Sequence, residues 1–123
     1  MRVLIVDDSS VMRKIVQRSL RQAGLMADEV REAGNGMEGV NALKAGPVDL
    51  ILCDWNMPVM DGLTFVKTVR SGPPQVKGIP IVMVTTEGGE DRMAAAKEAG
   101  ASGHIKKPFT TTVMQETLGK YFK

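Results

Sequence analysis

Three apolar, largely β-branched runs in this chain are long enough to cross a sheet and too short to form a helix: Val3, Leu4, Ile5 and Val6; Leu50, Ile51 and Leu52; and residues 79–84. They are apolar at consecutive rather than alternate positions, so they read as strands buried on both faces, the pattern of a parallel sheet covered by helices. The segments between them have helical spacing. Val11, Met12, Ile15, Val16 and Leu20 form one stripe, with Ser9 or Ser10 as its N-cap and Gly24 as its stop.

A weaker strand is expected over Glu29–Ala33, followed by a helix over about 37–45. Leu63, Val66 and Val69 form another helical stripe after Gly62, and Gly72, Pro73 and Pro74 then break the chain. The last third repeats the scheme with a helix over Glu90–Ala99, a short strand over Gly103–Lys106 and a final helix carrying Val113, Met114, Leu118 and Phe122. Five alternations of strand and helix predict a doubly wound α/β domain with right-handed crossovers, five helices and no dividing linker.

The chain has 123 residues, 43% of them hydrophobic, which suffices for one core without metals or disulfides, and one domain over 1–123 is expected. Its 16 basic and 14 acidic residues are scattered, so no nucleic-acid footprint is visible. Cys53 is the single cysteine and has no metal-type spacing around it, which fits a reducing cytoplasm. The first apolar run ends at once in Asp7 and Asp8, too soon for an export or membrane segment.

In an open parallel sheet, functional groups collect beyond the carboxyl ends of the strands. Here those ends carry Asp7 and Asp8, Asp54, Thr85 and Thr86, and Lys106, Lys107 and Pro108. If the first and third strands are neighbours, Asp7, Asp8 and Asp54 crowd together and must protonate or recruit a cation, and hard oxygen ligands select Mg²⁺, with Mn²⁺ as a substitute. Mg²⁺ engages few protein carboxylates, which leaves Asp54 as a candidate nucleophile. Lys107 and the Thr85 hydroxyl are placed to neutralise a phosphoryl group from other sides.

The stretches Leu4-Ile5-Val6-Asp7-Asp8, Asp54-Trp55-Asn56-Met57-Pro58 with Met60-Asp61-Gly62, Val84-Thr85-Thr86 and Lys107-Pro108-Phe109 closely resemble the receiver domains of response regulators, especially the CheY-like chemotaxis type. The likeness covers nearly the whole chain. It implies a flavodoxin-like sheet in the order 2-1-3-4-5 and phosphoryl transfer from a histidine kinase to Asp54. It further implies Asp8 as a direct Mg²⁺ ligand, Asp7 as a water-mediated one, Asp54 as ligand and acceptor, and Asn56 as a ligand through its backbone carbonyl. Thr85 and Lys107 would hold the phosphoryl group, and a cis peptide would precede Pro108.

Asn56 and Glu87 would tune phosphoryl lifetime by resemblance, and output would run through Thr85 and the Gly88-Gly89 loop. Where most of the family has Tyr or Phe on the fifth strand, this chain has His104, read either as a surface residue or as a protonation-sensitive switch. The expected protein is a monomeric cytoplasmic signalling switch with weak autophosphorylation and autodephosphorylation. Its partners would be a sensor histidine kinase and a downstream target, such as a flagellar motor switch or a phosphatase, with no direct contact to nucleic acid or membrane.

Other readings compete. Gly34-Asn35-Gly36-Met37-Glu38-Gly39 matches a dinucleotide fingerprint, but Asp54 follows it too closely for the usual spacing of about 20 residues, so turning at Gly34 and Gly36 is preferred. Nine methionines suggest a plastic surface, yet Met12, Met83 and Met114 sit at core spacings. Cys53 is read as packing. A haloacid-dehalogenase-like phosphatase also uses an Asp nucleophile with Mg²⁺, but heads an Asp-x-Asp motif after its first strand. A phosphorelay intermediate or a receiver cut from a DNA-binding regulator keeps the fold and changes the job; only about one helix of chain follows Phe109, which favours a stand-alone chemotaxis-type or relay protein.

Overall fold

A computed structural model describes residues 1–86 and 90–122. Five strands, β1 (Arg2–Val6), β2 (Glu29–Ala33), β3 (Leu50–Cys53), β4 (Ile81–Thr85) and β5 (Gly103–Lys106), form one sheet in the order β2-β1-β3-β4-β5. Every pairing is parallel, with Val6 opposite Ala33 and Cys53 at the point where the order reverses. Helices α1 (Ser10–Gln22), α2 (Gly36–Ala45), α3 (Gly62–Arg70), α4 (Pro74–Lys77), α5 (Glu90–Ala99) and α6 (Thr111–Leu118) connect and follow the strands, and a 3-10 turn closes with Gly119–Phe122.

Alternate strand residues feed two cores. Leu4, Val6, Ile51, Cys53, Ile81 and Met83 pack with Phe65, Val66 and Val69 of α3 on one face. Val3, Ile5, Leu50, Leu52, Val82, Val84 and Ile105 pack with Val16 and Leu20 of α1 and Met114 and Leu118 of α6 on the other. The consecutive apolar runs are therefore strands covered on both sides.

Local chemistry fixes the element ends. Ser9 is the cap of α1, accepting from the Met12 N–H at 3.1 Å, and Gly24 at φ 77° lets the Leu25 N–H return to the Leu20 carbonyl at 2.9 Å. Asn35 caps α2 while Glu38 reaches back to the Gly34 N–H at 2.9 Å. Arg70 ties three segments by donating to the carbonyls of Gly100, Lys77 and Ile79.

The structure departs from the sequence reading in several places. Among the described residues six helices are present instead of five, because Pro74 does not merely break the chain but stands at the first turn of the short α4, where its fixed φ suits a helix start. The fourth strand begins at Ile81, not Ile79, after Pro80, which has no N–H for the ladder. Val11 is 65% exposed and Ile15 37%, so only Met12, Val16 and Leu20 of the expected α1 stripe face the sheet. Val113 is similarly exposed, and Phe122 falls in the 3-10 turn. Gly34 lies in the two-residue bend between β2 and α2 and Gly36 begins α2, and neither turns through positive φ: among the described residues the positive-φ glycines are Gly24 and Gly100. A Cβ on Gly36 would meet the Met60 carbonyl at 2.8 Å, and one on Gly39 the Phe65 ring at 2.8 Å, so the apparent fingerprint serves helix packing.

Candidate phosphoryl-acceptor site

The ladder carries Asp7 and Asp54 to the same height. The Asp7 N–H donates to the Ala33 carbonyl at 3.0 Å and the Asp54 N–H to the Val6 carbonyl at 2.9 Å, one step past the paired strands. Asp7 is buried, Asp54 half-buried and Asp8 exposed, and each presents an oxygen within 4.8 Å of the other two. From β5, Lys107 enters the same space, its N–H anchored on the Thr85 carbonyl at 2.9 Å and its ammonium 3.0 Å from Asp7 Oδ2 and 3.7 Å from Asp54 Oδ2. The Lys107–Pro108 peptide is cis.

The two oxygens of Asp54 are held differently. Oδ1 accepts the Trp55 N–H at 2.8 Å, and Oδ2 is the one nearer Lys107. The Thr85 hydroxyl also bonds the carboxylate. Burial, aided by the nearby Asp7 carboxylate, nonetheless raises the Asp54 pKa, against the opposing pull of Lys107, the Trp55 N–H and Thr85. Asp7 is also fully engaged, with Oδ1 on the Ser9 N–H at 2.9 Å. Gly62 makes room for the loop: its N–H meets the Trp55 carbonyl at 2.8 Å, and a Cβ there would lie 2.2 Å from the Asp54 carbonyl.

Of the residues singled out from sequence, Asp7, Asp8, Asp54, Thr85 and Lys107 are brought together. Asn56 is exposed on the loop beyond Trp55. His104 is exposed on β5, opposite Met83 in the ladder. Glu87, Gly88 and Gly89 lie outside the described residues. Cys53 is buried; burial first, then the charges of Asp54, Asp7 and Asp61, hold its thiol well above the usual range and protonated. Asp61 caps α3 by accepting from the Thr64 N–H at 2.8 Å. Sequence reasoning missed Arg13, which donates to the Asp7 carbonyl at 2.6 Å and pairs with Glu32 at 2.9 Å. No local pattern signals such a contact, because its partners arrive from two other elements.

Residues 3–119 match the family described as the response regulator receiver domain. The chain belongs to this family. As a receiver domain it is 44% identical to the chemotaxis protein CheY1 of Helicobacter pylori over 96% of this chain and 94% of that one. It is 39% identical to the chemotaxis protein CheY-3 of Vibrio cholerae over 100% of this chain and 92% of the other. The solved structure of the Vibrio cholerae chemotaxis protein CheY4 superposes on the receiver with a TM-score of 0.85 at 39% identity, over 98% and 97% of the two chains. Among the described residues, no helix of the receiver is long and apolar enough to cross a membrane.

Proposed function

We propose that residues 1–123 form one receiver domain in which Asp54 accepts a phosphoryl group from the phosphohistidine of a sensor histidine kinase. The observation that carries this reading is the meeting of Asp7, Asp8 and Asp54 within 4.8 Å beside the Lys107 ammonium. Trp55 holds Asp54 Oδ1, leaving Oδ2 to attack phosphorus as the bond to the histidine nitrogen breaks. Lys107 and the Thr85 hydroxyl are the chain's own groups for steadying the transferred oxygens.

The donor set fits a hard divalent cation: three carboxylate oxygens at close quarters, with the Lys107 ammonium hydrogen-bonded to Asp7. Asp7, Asp8, Asp54 and the Asn56 carbonyl would hold Mg²⁺, or Mn²⁺ in its place, and the bound ion would neutralise the carboxylates and the phosphoryl oxygens. Lys107 already offsets part of that charge, which keeps the cluster tolerable in the folded chain.

The switch is read as a slow self-catalyst, taking phosphoryl from small donors and losing it to water, with Asn56 and Glu87 setting the lifetime. Thr85 and His104 carry the change outward, His104 by leaving its exposed position. The output is binding of a downstream protein in chemotaxis or motility, a flagellar motor switch or a phosphatase, by a monomer in the cytoplasm. The chemotaxis relatives support that setting.

Trp55 is buried beside Asp54 and offers the test. Its fluorescence should change with Mg²⁺ and again with acetyl phosphate, the second change vanishing in Asp54→Asn, while mass spectrometry finds one phosphoryl group on Asp54. Wild-type protein that binds Mg²⁺ yet never gains that mass would overturn the reading and leave a domain that works by binding alone.

A further inference from the structure

Trp55 does more than donate its N–H to Asp54. The guanidinium of Arg92, in the first turns of α5, stands over its indole ring, 5.4 Å from the centroid, within the range of a cation–π contact. The ring is buried and Arg92 is exposed, so the arginine reaches across from the helix and lies on the outer side of the ring.

Two adjacent residues thus receive contacts from β4 and from α5: Thr85 bonds Asp54, and Arg92 covers Trp55. Trp55 is itself clamped by its N–H on Asp54 and its carbonyl on Gly62. Movement of the first turns of α5 away from the Asp54 loop must therefore release Arg92.

The helix itself grips the core weakly. The face that α5 turns to the core is built from Ala95, Ala96 and Ala99, of which Ala96 alone is buried. Alanine methyls bury little apolar area, so one cation–π contact adds appreciably to what seats the first turns of the helix.

We infer that Arg92 is a positioning residue which, through Trp55, couples the start of α5 to the phosphoryl-acceptor loop and restrains labelling of Asp54 in the resting state. The inference rests on Asp54 being the acceptor. If labelling requires α5 to shift, removing the contact enlarges the competent population by about two- to fivefold, the range an exposed cation–π contact supports.

The test compares wild type, Arg92→Ala and Arg92→Lys at an ionic strength that screens the loss of one exposed charge. Labelling by acetyl phosphate with Mg²⁺ is followed by mass spectrometry, and acrylamide quenching of Trp55 is recorded without the donor. Arg92→Ala should label about two- to fivefold faster and quench more readily, with Arg92→Lys between it and wild type. Labelling that is unchanged or slower in Arg92→Ala, while wild type labels normally, overturns the inference alone. A wild type that takes no label overturns the assignment of Asp54 and this inference with it.

Discussion

Lys107 Nζ stands 3.0 Å from Asp7 Oδ2, and both side chains are nearly buried. The ammonium occupies the charge balance that a divalent cation would otherwise supply, so the two compete. Lys107→Met should bind Mg²⁺ more tightly, by roughly tenfold, since each 1.4 kcal/mol of relieved repulsion between cations is a factor of ten. The same change should lower metal-free stability by about 1–3 kcal/mol, because it strands buried carboxylate charge. Titration of Trp55 fluorescence and urea unfolding in EDTA and in Mg²⁺ measure both; equal Mg²⁺ affinity in the two proteins would remove Lys107 from the cation's surroundings.

Asp54 carries a raised pKa, first because it is partly desolvated and then because Asp7 is close. The folded carboxyl therefore keeps its proton to higher pH than the unfolded one. Between those two values the folded state binds more protons, so stability falls as pH rises through the window and stays reduced above it. Asp28 and Asp49, held low by the N-terminus and by Arg2, act in the opposite sense, so the Asp54 contribution is the difference between wild type and Asp54→Asn: in metal-free protein wild type should lose stability relative to the variant as pH is raised from the ordinary aspartate value of 3.8 through the raised one. Urea unfolding across acidic pH in EDTA follows it; a slope identical in Asp54→Asn would assign the dependence to other groups.

Gly62 is fixed by close approach rather than by backbone freedom. A methyl there would sit 2.2 Å from the Asp54 carbonyl, 2.9 Å from Met83 Cε and 3.0 Å from the Trp55 Cα. Backbone atoms cannot yield as a flexible side chain can, so Gly62→Ala should cost about 1–3 kcal/mol or more. A Cβ on Gly78 would meet nothing within 4 Å, and its backbone lies at φ −99°, so Gly78→Ala should be neutral or stabilising by about 0.4–1 kcal/mol. Chemical denaturation of the pair checks the contrast.

How much of this was visible in the sequence depended on where a residue sits in the sheet. β1, β3 and β4 are interior strands, and runs such as Leu50, Ile51 and Leu52 announce burial on both faces. β2 and β5 are edges, where Glu29, Arg31 and His104 interrupt the pattern, and only their place between helices marks them as strands. Asp7, Asp54 and Lys107 were legible because strand ends in a parallel sheet share one rim. Arg13 and Arg92 were not, because each acts on a backbone or ring that chain folding delivers from elsewhere. The exposure of Val11 and Ile15 was equally hidden: helical spacing shows that a stripe exists and not how wide a strip of it the sheet covers.

Val59 occupies the left-handed region at φ 69° and is 80% exposed, so a β-branched side chain is held there without packing in return. Such a residue carries strain of about 1–2 kcal/mol, and Val59→Asn should stabilise the domain by on the order of 1 kcal/mol. Thermal unfolding measures the gain; a loss would show that Val59 makes contacts that outweigh its backbone.

Thr85 is buried, its hydroxyl bonds Asp54, and its backbone carbonyl receives the Lys107 N–H at 2.9 Å. The hydroxyl thus touches the acceptor while the backbone joins β4 to the lysine segment. Thr85→Ala deletes the first link and keeps the second, so Lys107 should stay in place and Asp54 should still be labelled by acetyl phosphate, within about tenfold of wild type on the scale of one lost neutral hydrogen bond. What should disappear is the response at a distance: amide exchange in α5 and β5 that changes on labelling in wild type should remain at its resting level in the variant. Labelling lost by several orders of magnitude would instead make Thr85 indispensable to the transfer, beyond the steadying of one oxygen, and an unaltered exchange response would move the switch to another residue, with His104 the first to examine.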